Sequence, residues 1–143
     1  MKSKAHFKGH PLHPILVSFP IAFFIGVLVF DVLGLLYSRN DFHTIAKYLE
    51  IGGIGFALMA AVPGIIDYLF IVPPKSSAKK RAVKHGLINV TVVIIFAVAL
   101  LLRQKQDASF VLITGLETAG VVLVGIAGWL GGTLVYRNQI GVD

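Results

Sequence analysis

The chain has 143 residues, 56% hydrophobic and only 14% charged, against about 25% charged in a soluble domain. With a mean hydropathy of +0.82 it lacks the polar residues to cover a water-exposed surface, which excludes an ordinary soluble domain. The absence of cysteine excludes disulfides, thiolate metal sites and iron–sulfur ligation.

The first apolar run covers about 15–37 and follows Lys2, Lys4 and Lys8. It is longer than a signal-peptide core and lacks a small-residue cleavage site, so it reads as a membrane span. Ser38, Arg39, Asn40 and Asp41 form a turn cluster. The second run, about 45–72, carries an expected kink at Pro63 and Gly64 and ends before Pro73 and Pro74, because proline cannot continue the hydrogen-bond ladder. Ser76 and Ser77 offer an N-cap. The third helix begins near Ser77, with Lys79, Lys80, Arg81 and Lys84 in its interfacial turns, and spans about 80–102. Residues 103–107 are a polar hairpin turn, and the fourth run covers about 110–136. Each run approaches the roughly 20 residues that a span requires. Connections this short favour antiparallel neighbours. The expected fold is therefore all-α: one integral membrane domain over 1–143, a four-helix up-down-up-down bundle. No internal repeat is evident.

With four spans, the N-terminus, the loop after the second helix and the C-terminus share one side. That side holds Lys2, Lys4, Lys8, Lys75, Lys79, Lys80, Arg81, Lys84 and Arg137; the other holds Arg39, Lys47, Arg103 and Lys105. The excess of positive charge predicts a multi-pass protein of the cell inner (plasma) membrane with both termini cytoplasmic. The same placement explains the net charge of +6 without nucleic acid as a partner. Gly52, Gly53 and Gly55 in the second helix, and Gly120, Gly125, Gly128, Gly131 and Gly132 in the fourth, predict close helix packing or clearance for a planar cofactor or a partner subunit.

Polar groups at membrane depth are expensive unless paired, so they are the informative residues. They fall into two layers. The cytoplasmic layer holds His10 and His13 before or at the start of the first helix, Asp67 near the end of the second, and His85 with Asn89 one turn deeper on the third. Two histidines from different helices can hold a haem iron from both faces. His10, His13, Asp67 and His85 are also a ligand set for a non-haem metal such as Zn or Fe. The bland alternative is interfacial histidines bonded to headgroups and backbone. The outer layer holds Asp31 and Glu117, each about 10 Å deep at 1.5 Å per residue, with His43 and Glu50 near the same surface. Two carboxylates at one depth can share a proton, bind a cation, or stay neutral and hydrogen-bonded. No phosphate loop, dinucleotide fingerprint or HExxH is present, and no substrate pocket can be read, so a stand-alone enzyme is not expected.

Three separated stretches carry a family resemblance. Gly9-His10-Pro11-Leu12-His13-Pro14 runs on through Ile15-Leu16-Val17-Ser18-Phe19-Pro20. Further along come His85-Gly86-Leu87-Ile88-Asn89 and Gly128-Trp129-Leu130-Gly131-Gly132-Thr133-Leu134-Val135-Tyr136-Arg137. In this order they resemble the DUF2231 family of predicted bacterial membrane proteins over nearly the whole chain. The resemblance implies a four-helix membrane protein similar in plan to small b-type cytochromes, in a family with some members linked to Rieske-type redox domains. The family's tail usually carries a histidine where this chain has Asn138. That departure leaves His10, His13 and His85 as candidate haem ligands and favours His13 with His85.

The leading expectation is a membrane redox subunit that binds haem b near the cytoplasmic face and passes electrons to a membrane protein partner or a second copy. A cofactor-free assembly subunit of a larger complex is the second expectation. A metal- or proton-translocating bundle using Asp31, Glu117 and the histidines is the third.

Overall fold

Each of the four apolar runs is one helix: α1 (Leu12–Tyr37), α2 (Asn40–Phe70), α3 (Ser77–Leu102) and α4 (Phe110–Tyr136). The structure, a computed structural model, describes residues 1–141. All four helices are long and apolar enough to cross a membrane. Their outward faces are apolar too: Leu58, Ile94, Val111 and Trp129 are all exposed. Such a surface suits lipid, where each helix keeps its backbone hydrogen bonds within itself.

The helix ends follow local chemistry. Ser76 caps α3 by accepting a hydrogen bond from the Lys79 N–H at 3.0 Å, and Ser109 caps α4 through the Leu112 N–H at 3.4 Å. Ser38 closes α1 in the left-handed conformation, at φ 52°. Asn40 and Asp41, expected in the turn, already belong to α2. Pro63 and Gly64 lie inside α2, which extends as one helix to Phe70, short of the Pro73-Pro74 pair. Before α1 lies a small hairpin that the apolar pattern does not signal. Strands β1 (His6–Phe7) and β2 (His10–Pro11) pair antiparallel about Lys8 and Gly9. Both of those residues have positive φ, as a tight two-residue hairpin turn requires.

Packing is strongest within the pairs α1–α2 and α3–α4, and the two pairs join along α1–α4 and α2–α3. Helices α1 and α3 therefore face each other diagonally across the interior, as do α2 and α4. The buried positions recur at spacings of three and four: Pro20, Phe24, Val27, Asp31 and Gly34 on α1, and His43, Ala46, Glu50 and Gly53 on α2. That spacing is a coiled-coil seam.

The interior also reveals a repeat that the sequence conceals. At one constant offset, His13 and Phe24 of α1 correspond to His85 and Phe96 of α3. At another, Leu49, Glu50, Gly53, Ala60 and Gly64 of α2 correspond to Leu116, Glu117, Gly120, Ala127 and Gly131 of α4. The pairs also match in environment. Phe24 and Phe96 stack on each other across the bundle centre, 3.9 Å between ring centres. A Cβ at Gly53 would come within 2.8 Å of Phe24, and one at Gly120 within 2.7 Å of Phe96. The two helical hairpins, α1–α2 and α3–α4, thus carry matching residues in matching environments across the bundle. The expectation of no internal repeat is corrected: the identities are few, and the apolar background hides them.

Because the two glycines make room for the stacked rings, Gly53→Ala and Gly120→Ala each force the Phe pair to shift. Each substitution should destabilise by about 1–3 kcal/mol, read as a lower thermal-unfolding midpoint in detergent. Gly55→Ala, with nothing within 4 Å of the added carbon, should leave the midpoint in place. Equal midpoints for all three would refute the packing of this centre.

Candidate functional site

Polar side chains gather at both ends of the interior. At the end that carries the N-terminal hairpin, His13 and His85 meet from the diagonal helices α1 and α3. Their ring centres are 6.2 Å apart and their planes stand at 85°. His13 Nδ1 lies 2.8 Å from the Ala60 carbonyl of α2, and His85 Nδ1 lies 2.9 Å from the Ala127 carbonyl of α4. A carbonyl only accepts, so each Nδ1 must carry a proton, which leaves Nε2 of each ring as the nitrogen that can present a lone pair. Gly64 and Gly131, one turn beyond those carbonyls, let the rings in: an added Cβ would lie 2.9 Å from His13 and 3.1 Å from His85. Both rings are therefore held in the same way, by equivalent residues of the repeat.

The other residues expected in this layer are differently placed. The Asn89 amide donates to the His85 carbonyl at 2.8 Å, and its nitrogen sits 3.3 Å from His85 Nε2. His10 is exposed in β2, outside the bundle. Asp67 is buried but engaged: its carboxylate accepts from the Ser3 hydroxyl at 2.7 Å and from the Lys4 N–H at 2.9 Å. It ties the N-terminal segment across the bundle end. Among the described residues, no three His, Asp or Glu side chains are grouped to hold a metal ion. Asn138 accepts a hydrogen bond from Arg81. Beside this layer Ser77, Lys80, Arg81, Lys84 and Leu130 line an open cleft of about 330 Å³.

At the opposite end the structure brings Asp31 and Glu117 together, and it brings them to Arg103. This arginine caps α3, where the sequence suggested only a polar turn, and its side chain is 4% exposed. It donates to Asp31 at 2.6 Å, to Glu117 at 2.7 Å and to Glu50 at 2.9 Å. A further N–H lies 3.3 Å from the His43 carbonyl. The three carboxylates have no solvent exposure. Burial works against the charge of Arg103, but its hydrogen bond to Asp31 and the attraction of the three carboxylates outweigh that and raise its pKa. His43 Nδ1 lies 2.7 Å from Asp31 Oδ1, and the ring stacks on Phe110 at 3.7 Å. Glu50 and Glu117 are equivalent in the repeat, and one arginine meets both. The available signal for Arg103 was the acids themselves: three carboxyls at one membrane depth call for a cation or for protons at that depth.

The family model for predicted membrane proteins of DUF2231 matches residues 9–143. The chain belongs to the DUF2231 family. No curated protein and no solved structure matches it. Membership agrees with the four apolar helices and places the protein in a lipid environment.

Arg103→Met would leave Asp31, Glu50 and Glu117 buried without their cation. A loss of about 3–5 kcal/mol is expected, the range for removing one partner of a buried pair, measured as thermal unfolding in detergent. Arg39→Met, which breaks an exposed pair with Asp41 and a contact with the Phe42 ring, should change little. Equal effects of the two would show that the buried cluster contributes no more than a surface ion pair.

Proposed function

We propose that this protein is a membrane redox subunit that binds one haem b between His13 and His85 and passes electrons to a partner in the same membrane. The observation that carries the reading is the separation of the two imidazoles. An imidazole nitrogen binds a transition metal at about 2 Å. Two imidazoles that would share one metal ion come to ring centres roughly 6 Å apart; here the distance is 6.2 Å.

The supporting shell fits as well. Metal-bound histidines usually donate their other N–H to a carbonyl or carboxylate, which fixes tautomer and ring orientation. The Ala60 and Ala127 carbonyls fill that role for His13 and His85. Because both rings are held alike, the two would hold the cofactor as equivalent ligands. Lys80, Arg81 and Lys84 line the neighbouring cleft and offer positive charge to the carboxylates at the edge of the cofactor. A haem bound there supplies one-electron redox chemistry. The excess of Lys and Arg at this end supports both termini in the cytoplasm of a cell inner membrane.

A partner is supported by the outer face of α4. Gly125 and Gly128 are exposed, with nothing within 4 Å of an added Cβ, and small outward residues admit a neighbouring helix closely. The same observation favours the second reading, a cofactor-free assembly subunit of a larger membrane complex.

The two readings separate in an oxidised and dithionite-reduced absorption spectrum of protein purified in detergent from a haem-replete host. The expected result is a sharp six-coordinate b-type spectrum that His13→Ala and His85→Ala each abolish and His10→Ala leaves intact. A featureless visible spectrum in the wild type would overturn the haem reading and leave the assembly subunit.

A further inference from the structure

The three carboxylates around Arg103 do not balance. From α1 comes Asp31, from α2 His43 and Glu50, from the end of α3 Arg103, and from α4 Glu117. If all three acids are ionised, the cluster is negative even with His43 as an imidazolium. An uncompensated charge at this depth is among the most expensive arrangements in a membrane, and a proton is the simplest remedy.

Two further observations point to where the proton sits. Glu50 Oε1 and Glu117 Oε2 are both fully buried with no hydrogen-bond partner, and a carboxylate oxygen buried without a donor carries its full desolvation penalty, so the proton belongs on a glutamate, and the second observation selects Glu117. Glu117 is also the direct neighbour of Asp31: Oε1 of Glu117 and Oδ2 of Asp31 accept from the same Arg103 nitrogen, at 2.7 and 2.6 Å. Two carboxyl groups this close repel when both are ionised, which favours a proton on one of them. Asp31 has the richer set of donors, with two N–H groups of Arg103 at 2.6 and 3.2 Å and the His43 ring at 2.7 Å. It is therefore the ionised member of the pair.

A route to the site is also present. Asn40, His43, Thr44, Lys47, Arg103 and Phe110 line an open cleft of about 280 Å³ at this end of the bundle. His43 is at once in the wall of that cleft and hydrogen-bonded to Asp31. A proton from water can enter on one ring nitrogen of His43 while the other passes its proton to Asp31, which hands it to Glu117. Each transfer makes one O–H or N–H bond and breaks one, and no other reactant is needed.

We infer that Glu117, paired with Asp31, is a proton-binding site, filled from the aqueous phase through His43 at the bundle end opposite the His13–His85 pair. The occupant is a proton, in contrast to the guanidinium pairing that holds Asp31.

Infrared difference spectroscopy of the full chain in lipid vesicles tests this directly. The expected wild-type spectrum contains the C=O band of a neutral carboxylic acid at neutral pH, shifting in D2O as the proton exchanges. Glu117→Gln, the shape of the neutral acid, should fold normally and lack that band. Asp31→Asn, which removes the ionised partner of Arg103, should lower the thermal-unfolding midpoint well below that of Glu117→Gln. His43→Phe, which retains a ring against Phe110, should keep the band but slow its D2O shift severalfold. A wild-type spectrum without a neutral-acid band would overturn the inference even if no variant folds. So would a band that survives unchanged in Glu117→Gln, and an unaltered exchange rate in His43→Phe would overturn the route.

Discussion

Everything in this bundle is arranged around the cost of a charge in lipid. Arg103, Asp31, Glu50 and Glu117 come from all four helices or their ends and meet at one depth with almost no solvent exposure. Asp31, Glu50 and Glu117 lie within their helices and cannot turn outward without facing the apolar outer surface, where each would carry a penalty of several kcal/mol. The cluster therefore fixes the rotation of α1, α2 and α4, each about its own axis. With Asp31 inward, the positions three, four and seven residues before it on α1 must also be inward. They are Leu28, Val27 and Phe24, of which Val27 and Phe24 are the buried ones. Apolar residues alone would set this less sharply, because the outer faces of the helices are as hydrophobic as the inner ones and water does not drive them apart.

The repeat explains how one rule serves two chemistries. At the His end the copies remain alike: His13 with Ala60 and Gly64, His85 with Ala127 and Gly131. At the middle they remain alike again, with Phe24 and Phe96 each set against a glycine. At the other end they diverge in charge. The counterpart of Asp31 is Arg103, and that of His43 is Phe110. A strictly symmetric bundle would bring two aspartates together there, an arrangement with no cation; replacing one by arginine converts repulsion into the 2.6 Å ion pair. The two glutamates stayed, and their shared arginine is why two unpartnered carboxyl oxygens remain.

The fold was legible because its signal is long. Four apolar stretches separated by charge and proline leave little choice of architecture, and the caps at Ser76 and Ser109 are local events that a few residues determine. The sites were legible only as layers. Depth along a helix follows from counting residues, so Asp31 and Glu117 could be set level, and so could His13 and His85. Direction around the helix does not follow when all faces are apolar, which is why His10 and Asp67 read as equals of His13 and His85. His10 lies in a two-residue strand that has no hydrophobic period, and Asp67 is claimed by Ser3, a contact between residues far apart in the chain. Arg103 escaped for a different reason. It sits among Gln104, Lys105 and Asp107 at a helix end, and only the length of its side chain, turned back into the bundle, reveals it as interior.

The divergence of the two ends also bears on how they can act together. They are separated by the stacked Phe24 and Phe96 rings, with Val27 and Ala99 buried toward the Arg103 side. No polar side chain is buried on α1 or α3 between the histidines and the Asp31–Arg103 pair. Protons need an unbroken chain of polar groups, so this apolar centre separates the proton-accessible end from the histidines. Electrons need no such chain, and the charge on one end acts on the other through the low-dielectric interior, where Coulomb forces are weakly screened. If the histidine pair holds a redox group and Glu117 a proton, as proposed, a change of charge at one acts on the other by field alone. Their arrangement at opposite ends of the same four helices makes that field act along the bundle.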